Sequence, residues 1–165
     1  WYTVARSADE LESAVHVGQK AGARTVARLA PKKAPTGTFP IMLAPQLASG
    51  LIGHLLGAIS GSAQYRKASF LLDSVGQQVL PTWLSLQESP LLSRSLGGAY
   101  FDADGVATRP NRFVDAGVLN SYVLSAYSAR KLDLATTANA GGVLNLALQA
   151  PTVSREEHNK KTGTG

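Results

Sequence analysis

Cysteine is missing altogether from these 165 residues, which excludes disulfides and every thiolate metal site. The absence fits a reducing compartment, and a cytoplasmic location is the expectation. Histidine is scarce: the three residues are His16, His54 and His158, no two within a helical turn of each other, so no zinc site assembles locally from histidine. Long apolar runs are also lacking. The longest candidate, Leu47 to Gly61, falls short of the roughly 20 apolar residues of a membrane span and contains Gly, Ser and His, so no membrane association is expected. No initiator Met and no basic-then-apolar signal stretch opens the chain, which stops at Thr164-Gly165 without a closing element. We expect a piece of a longer protein. No internal repeat is visible.

What is present supports a folded domain. Hydrophobic residues make up 44% of the chain, enough for a real core and against global disorder. A single domain over 1–165 is expected, with an N-terminal helix and linker at 1–31, a core at 39–150 and a polar tail at 151–165. The net charge of +5 raises nucleic acid as a partner, so the distribution of charge matters more than its size.

The 47–61 stretch organises the rest. Leu47, Leu51, Ile52, Leu55, Leu56 and Ile59 recur at spacings of three and four, which predicts one broad apolar helix face. Pro45 suits the first turn, where its missing N–H costs nothing. Gly53, Gly57 and Gly61 form a stripe at intervals of four, and each interior glycine costs about 1 kcal/mol relative to alanine, so the stripe is expected to admit a close neighbour. His54 beside it reads either as a hydrogen-bonded core residue, the expectation, or as a ligand-binding group.

In chain order, a helix is predicted from about Ala8 to Leu29, with Ser7 and Glu10 at capping-box spacing. One face carries Leu11, Val15, Gly18, Gly22, Val26 and Leu29. Another carries His16, Lys20, Arg24 and Arg28, a row that could grip phosphates but lacks interleaved aromatics and reads as a solvated face. Residues 31–38 form a Pro- and Lys-containing loop, and Phe39 to Ala44 a short buried strand. Beyond the central helix, Tyr65, Arg66 and Lys67 sit in an aromatic and cationic cluster that can hold a carboxylate or peptide backbone, or brace a loop. Val79 to Leu86 suggests short strands broken by Pro81. Asn111 to Asp115 and Val118 to Ser125, joined by Ala116-Gly117, predict a β-hairpin with Tyr122 and Leu124 on one face. Tyr127 to Leu132 is a helical turn or loop carrying Arg130, and Ala138 to Leu148 is strand-like. The fold class expected is α+β, helices packed on a mainly antiparallel sheet around one buried central helix at about 47–61.

Two motifs invite catalytic readings. Ser128-Ala-Arg-Lys131 with Lys161-Thr-Gly163 matches the S-x-x-K and K-T-G of penicillin-binding enzymes, but the second triplet lies in a polar tail and no S-x-N stands between, so coincidence is expected. Asp102 and Asp104 read as turn chemistry rather than an acid/base pair or a calcium loop.

The segments Phe39 to Leu72, Phe101 to Val106 and Asp115 to Leu132, above all Tyr65-Arg-Lys-Ala-Ser-Phe70 and Tyr127-Ser-Ala-Arg-Lys-Leu132, resemble the TldD/PmbA family. The likeness is greatest to its PmbA branch, also called TldE. The resemblance implies a cytoplasmic bacterial protein of a metalloprotease system, linked to peptide maturation and to modulation of DNA gyrase. The family's zinc-carrying branch has a His-Glu-x-x-x-His helix, two metal ligands with a glutamate that activates water. Aligned on Gly57, those positions hold Gly53, His54 and Ala58, so the donors are absent. The resemblance therefore implies a zinc-less subunit without catalytic or metal residues of its own, whose cofactor, zinc, sits on a TldD-like partner. Its substrate would be a peptide or unfolded polypeptide. His54, Tyr65, Arg66, Lys67, Tyr127 and Arg130 are the candidates for peptide or partner contact. A homo-oligomer, a stand-alone peptidase with ligands supplied from elsewhere in the longer protein, and a gyrase- or DNA-associated modulator are the alternatives; nucleic acid is not the expected partner.

Overall fold

Ser13, not Ser7, starts the first helix. In the computed structural model, which describes residues 1–151, helix α1 spans Ala14–Val26, and the Ser13 hydroxyl accepts from the His16 N–H at 3.2 Å. Ser7 precedes only a 3-10 turn at Ala8–Glu10, and its hydroxyl donates to the Asp9 carboxylate instead of capping a helix. The expected helix is thus shorter at both ends. The expected polar tail from Ser154, with His158 and the Lys161-Thr-Gly163 triplet, lies outside the described residues.

Contacts divide the chain into two compact units: Trp1–Ile41 with Arg94–Leu96, and Met42–Ser93 with the described residues from Gly97. In the first unit the predicted apolar face of α1 stays open, with Leu11, Val15, Val26 and Leu29 exposed. Trp1 is the organising group instead. The Lys20 Nζ lies 3.7 Å from its ring centroid, and the Arg24 guanidinium carbon 5.1 Å. The indole N–H donates to Glu12, which also pairs with Lys20 at 3.6 Å and His16 at 3.2 Å. Arg94 joins this unit through Asp9 and Glu10, at 3.4 and 3.1 Å.

Phe39 to Ala44, expected as a buried strand, forms none, and Ile41, Met42 and Leu43 are exposed. Its residues from Met42 onward lead, without regular structure, into helix α2, Pro45–Ala58, with Pro45 in the first turn. The expectation of a buried central helix needs correction. Only Leu55 and Ala58 of α2 are buried, and Ile52 and Leu56 partly so, whereas Leu47 and Leu51 are 65% and 61% exposed. The physical reason lies at the helix end. The Ala58 carbonyl accepts from Gln64 Nε2 and from the Ser69 hydroxyl, each at 2.7 Å, and the chain turns there rather than at Gly61. Ser60 then caps a new helix, α3, Gly61–Tyr65, through the Ala63 N–H.

Among the described residues the sheet has four strands, β1 Ser85–Glu88, β2 Asn111–Asp115, β3 Val118–Leu119 and β4 Leu146–Gln149, in the order β3-β2-β1-β4. Every pairing is antiparallel, with Leu86 opposite Val114 on one side and Leu148 on the other. The α+β class with an antiparallel sheet is therefore what the chain adopts. The hairpin turns at Ala116 and Gly117, both at positive φ (45° and 81°), as a tight two-residue turn requires. Gly117 admits no side chain, because a Cβ there would strike the Gln78 side chain and the Leu80 carbonyl. Its own carbonyl takes the N–H groups of Val79 and Leu80, so the first part of the stretch expected as short strands wraps the hairpin tip, and only Ser85 and Leu86 at its end fall in a strand, β1.

The second hairpin strand is only two residues long because the chain then leaves the sheet to meet the helices. Val123 donates to the Ile59 carbonyl at 3.0 Å and accepts from Gly61 N–H at 2.9 Å. Helix α4, Ala126–Leu132, comes next, with a reciprocal Ser125–Ser128 capping box. Ile59, Leu86, Phe113, Val114 and Leu119, all 0% exposed, form the centre of the core, with Tyr122 and Leu124 buried beside them. Each such side chain contributes roughly 1.5–3 kcal/mol of apolar burial. Among the described residues no helix is long and apolar enough to cross a membrane.

The glycine stripe does not act as one surface. Gly53 and Gly57 have nothing near a built Cβ, but at Gly61 that atom would overlap Ser128 and touch Leu124. Gly61→Ala is therefore expected to cost about 1–3 kcal/mol in denaturant unfolding. Gly57→Ala should be neutral or raise stability by up to about 1 kcal/mol. Equal effects of the two substitutions would show the α3–α4 contact to be misjudged.

Candidate functional site

The end of α2 separates two surface depressions, and the sequence-predicted site residues divide between them. Gly53, His54, Gly57 and Ala58 line the first, of about 480 Å³, with Ala68, Ser69 and Phe70. His54 is exposed on the helix, not the core histidine expected. The second, of about 240 Å³, lies among Ser60, Gly61, Ser62, Tyr65, Val123, Tyr127 and Ser128, with Asn139 and Gly142.

Tyr65 and Tyr127, distant in sequence, meet here edge to face, their centroids 5.9 Å apart at 81°. Arg66 stands 5.6 Å from the Tyr65 centroid, and Lys131 stands 5.8 Å from that of Tyr127. Lys67 and Arg130 are exposed and line neither depression; Lys67 takes positive φ (55°) as the chain leaves α3. Lys131, which no contact reading of the sequence singled out, is the cation beside the Tyr127 ring.

Ser128 is no nucleophile in waiting. Its hydroxyl accepts from the Ser125 N–H at 3.0 Å inside the capping box, and Lys131 lies against the Tyr127 ring. The S-x-x-K match is helix capping. Asp102 and Asp104 are structural too. Asp102, buried, accepts from the N–H groups of Ala140, Val106 and Asp104 at 2.9, 2.9 and 3.0 Å. Burial acts to raise its pKa, but those donors, Ala140 first, outweigh it and hold the carboxyl below its ordinary value. Asp104 accepts from the Ala126 N–H at 2.9 Å, at the start of α4.

A zinc ion does not fit the residues on this part of α2. His54 supplies one imidazole, Ser69 commits its hydroxyl to the Ala58 carbonyl, and glycine and alanine supply nothing. Among the described residues no three His, Asp or Glu side chains gather as a metal site would need. Asn139 escaped the sequence reading. It is positioned by Glu88, 51 residues earlier in the chain, and no local pattern marks it beyond the Gly141-Gly142 turn just after it.

Residues 36–165 match the family model described as PmbA/TldA metallopeptidase C-terminal domain. The chain is 42% identical to the metalloprotease PmbA of Escherichia coli O157:H7 over 99% of its own length and 36% of that protein's. It thus spans about a third of such relatives. A more distant relative is the metalloprotease TldD homologue of Haemophilus influenzae, 23% identical over 76% of this chain and 26% of that one. Among solved structures, a candidate modulator of DNA gyrase from Thermotoga maritima superposes with a TM-score of 0.87 at 26% identity, covering 98% of this chain and 39% of that one. Another, from Bacteroides thetaiotaomicron, gives 0.81 at 31% identity, covering 89% and 33%.

The lowered pKa of Asp102 carries a testable sign. Because the folded value lies below the unfolded one, its contribution is complete above the unfolded pKa and is lost as pH falls through the folded value. Urea unfolding should show stability declining below about pH 3.8, the ordinary aspartate value. Asp102→Asn should be less stable at neutral pH and flatter across that acid window. An unchanged acid slope in the variant would remove Asp102 from the account.

Proposed function

Because this chain belongs to the PmbA/TldD metallopeptidase family, we propose that it is part of a PmbA- or TldE-type subunit that carries no zinc and helps to shape the peptide site of a two-component metalloprotease. The observation that supports this most is the character of α2. At the positions where the zinc-carrying branch places His, Glu and His, this chain has Gly53, His54 and Ala58, and they border an open depression with a single imidazole. Hydrolysis by a zinc-bound water needs two or three more ligands and a base than this surface offers. The metal would come from a TldD-like partner, and this chain would contribute side chains that hold an extended peptide or unfolded polypeptide. Zinc on the partner would polarise the scissile carbonyl and supply the nucleophile.

A cytoplasmic site of action and a part in peptide maturation belong to the same reading. The stand-alone peptidase remains its rival, with ligands supplied by parts of the protein outside this chain. A DNA-associated role gains less support. Of the cationic row, Lys20 is paired with Glu12 and lies on Trp1, and Arg24 faces the same ring, whereas phosphate binding needs such groups free.

The test is metal content on the full-length protein, purified alone and with a TldD homologue. The chain alone should hold no stoichiometric zinc, the co-purified complex should hold it, and His54→Ala should leave the complex's zinc unchanged. Stoichiometric zinc on the chain alone would overturn the proposal in favour of the stand-alone peptidase.

A further inference from the structure

Four exposed cations of the second unit gather about one pair of tyrosine rings. Arg66 ends α3 and Lys67 follows it, while Arg130 and Lys131 occupy the last turn of α4. The Tyr65 and Tyr127 rings join the two helices edge to face, and Arg66 and Lys131 each stand over one of them. Arg130 follows Tyr127 by three residues, which puts it on the same side of α4. None of the four forms an ion pair among the described residues. The other arginines described in this unit are engaged, Arg112 with Asp115 and Arg109 with the Thr136 carbonyl. Two acids stand nearby in the chain, Asp104 at the start of α4 and Asp133 just past its end, and neither pairs with any of the four.

Helix ends alone do not explain the cluster. Cations suit the last turn of a helix, but α3 has five residues and α4 seven, so their dipoles are small. Lys67 stands beyond α3 at a positive φ of 55°, which glycine adopts at less cost. Like charges kept together without an acid repel one another, and an anion relieves that repulsion. The rings decide which anion. A nucleic-acid base needs a free ring face to stack on, whereas these rings contact each other and each already carries a cation over it. A carboxylate needs only the donors of the arginine and lysine heads, which are exposed. Both tyrosines also line the smaller depression, about 240 Å³, so a peptide with one side chain in it runs on past the cations.

We propose that this patch selects acidic peptides: an extended segment carrying Asp or Glu lays its carboxylates against Arg66, Lys67, Arg130 and Lys131. The proposal rests on the peptide-holding role given above and supplies the substrate class that role leaves open. It does not depend on where zinc resides.

Fluorescence anisotropy on the full-length protein tests it with two labelled probes, an acetylated and amidated peptide alternating Glu with Ala and its counterpart with Gln in place of every Glu. The Glu probe should bind roughly tenfold tighter at low salt, since exposed charge pairs are each worth up to a factor of about five, and added salt should erode the margin. The double variants Arg66→Gln with Lys67→Gln and Arg130→Gln with Lys131→Gln should each cut the margin at least about twofold, and the two combined should abolish it. Removing the same charge from the loop at 31–38, by Lys32→Gln with Lys33→Gln, should leave the margin intact. Should the combined variant misfold, the double variants and the probe pair on the unaltered chain decide. Equal affinity for the two probes overturns the selection of acids and leaves the peptide-holding role standing, whereas no binding of either overturns both. A margin that survives in the combined variant, or that the loop variant loses as well, overturns the assignment to this patch. A single-stranded oligothymidine that binds tighter than the Glu probe, and no longer does so in the combined variant, overturns it in favour of nucleic acid.

Discussion

In the second unit the backbone of Ile59 to Gly61 must lie directly against Val123, and the rest of the unit depends on that contact. Two hydrogen bonds, Val123 to Ile59 and Gly61 to Val123, join the helical half of the unit to the half that carries the sheet. They form only if α3 and α4 approach until no Cβ fits at Gly61. The requirement propagates backwards along the chain. For the backbone to run free past Val123, α2 must stop at Ala58, and its last carbonyl must find donors, which Gln64 and Ser69 provide. Stopping there, the helix presents only its final turn to the core. Its earlier apolar residues, Leu47 and Leu51, are left outside.

Glu88 is the second constraint. It is 1% exposed, and among the described residues it forms no ion pair, so its carboxyl group is met by neutral donors: Asn111 Nδ2 at 2.6 Å, Asn139 Nδ2 at 2.7 Å and the Leu144 N–H. A buried charge tolerates this only when its lone pairs are well met. The three donors come from β2 and from the segment leading into β4, so one side chain of β1 ties the sheet to the turn after α4. The same bond sets which way the Asn139 carboxamide points. A group in the smaller depression is thus oriented by the interior of the sheet, which lends it a rigidity that a loop residue alone would lack.

Local rules were legible in the sequence where local physics decides. Ala116-Gly117 demanded a tight turn between two β-prone runs, and the hairpin is there. Pro45 marked a helix start, and the Asp102–Gly105 stretch marked a turn. What misled was the assumption that an apolar stripe is buried within its own domain. Leu47 and Leu51, the stripe of Leu11, Val15, Val26 and Leu29, and the run at Ile41 to Leu43 all stand exposed, and nothing in their spacing distinguishes them from Leu55 or Ile59. Ser7 and Glu10 satisfied the capping-box spacing as well as Ser13 satisfied the actual cap, because spacing does not report backbone conformation. Asn139 and Glu88 were out of reach for a different reason: a pair 51 residues apart acquires its meaning only from the sheet register.

The family likeness succeeded where periodicity failed because it draws on many positions at once, including exposed ones whose apolar character local rules misassign. It also sharpens what the two depressions have in common. Gly57 and Ala58 border one, Ser60 and Gly61 the other, so a single helix end forms the wall between them. At Gly61 the missing Cβ lets backbone meet backbone, a requirement of folding. At Gly53 and Gly57 the missing Cβ meets nothing, and folding of this unit gains nothing from a residue that costs about 1 kcal/mol of helix propensity. Glycine is thus explained by packing at one of the three positions. At the other two, which border the first depression with His54, no contact within this unit accounts for it.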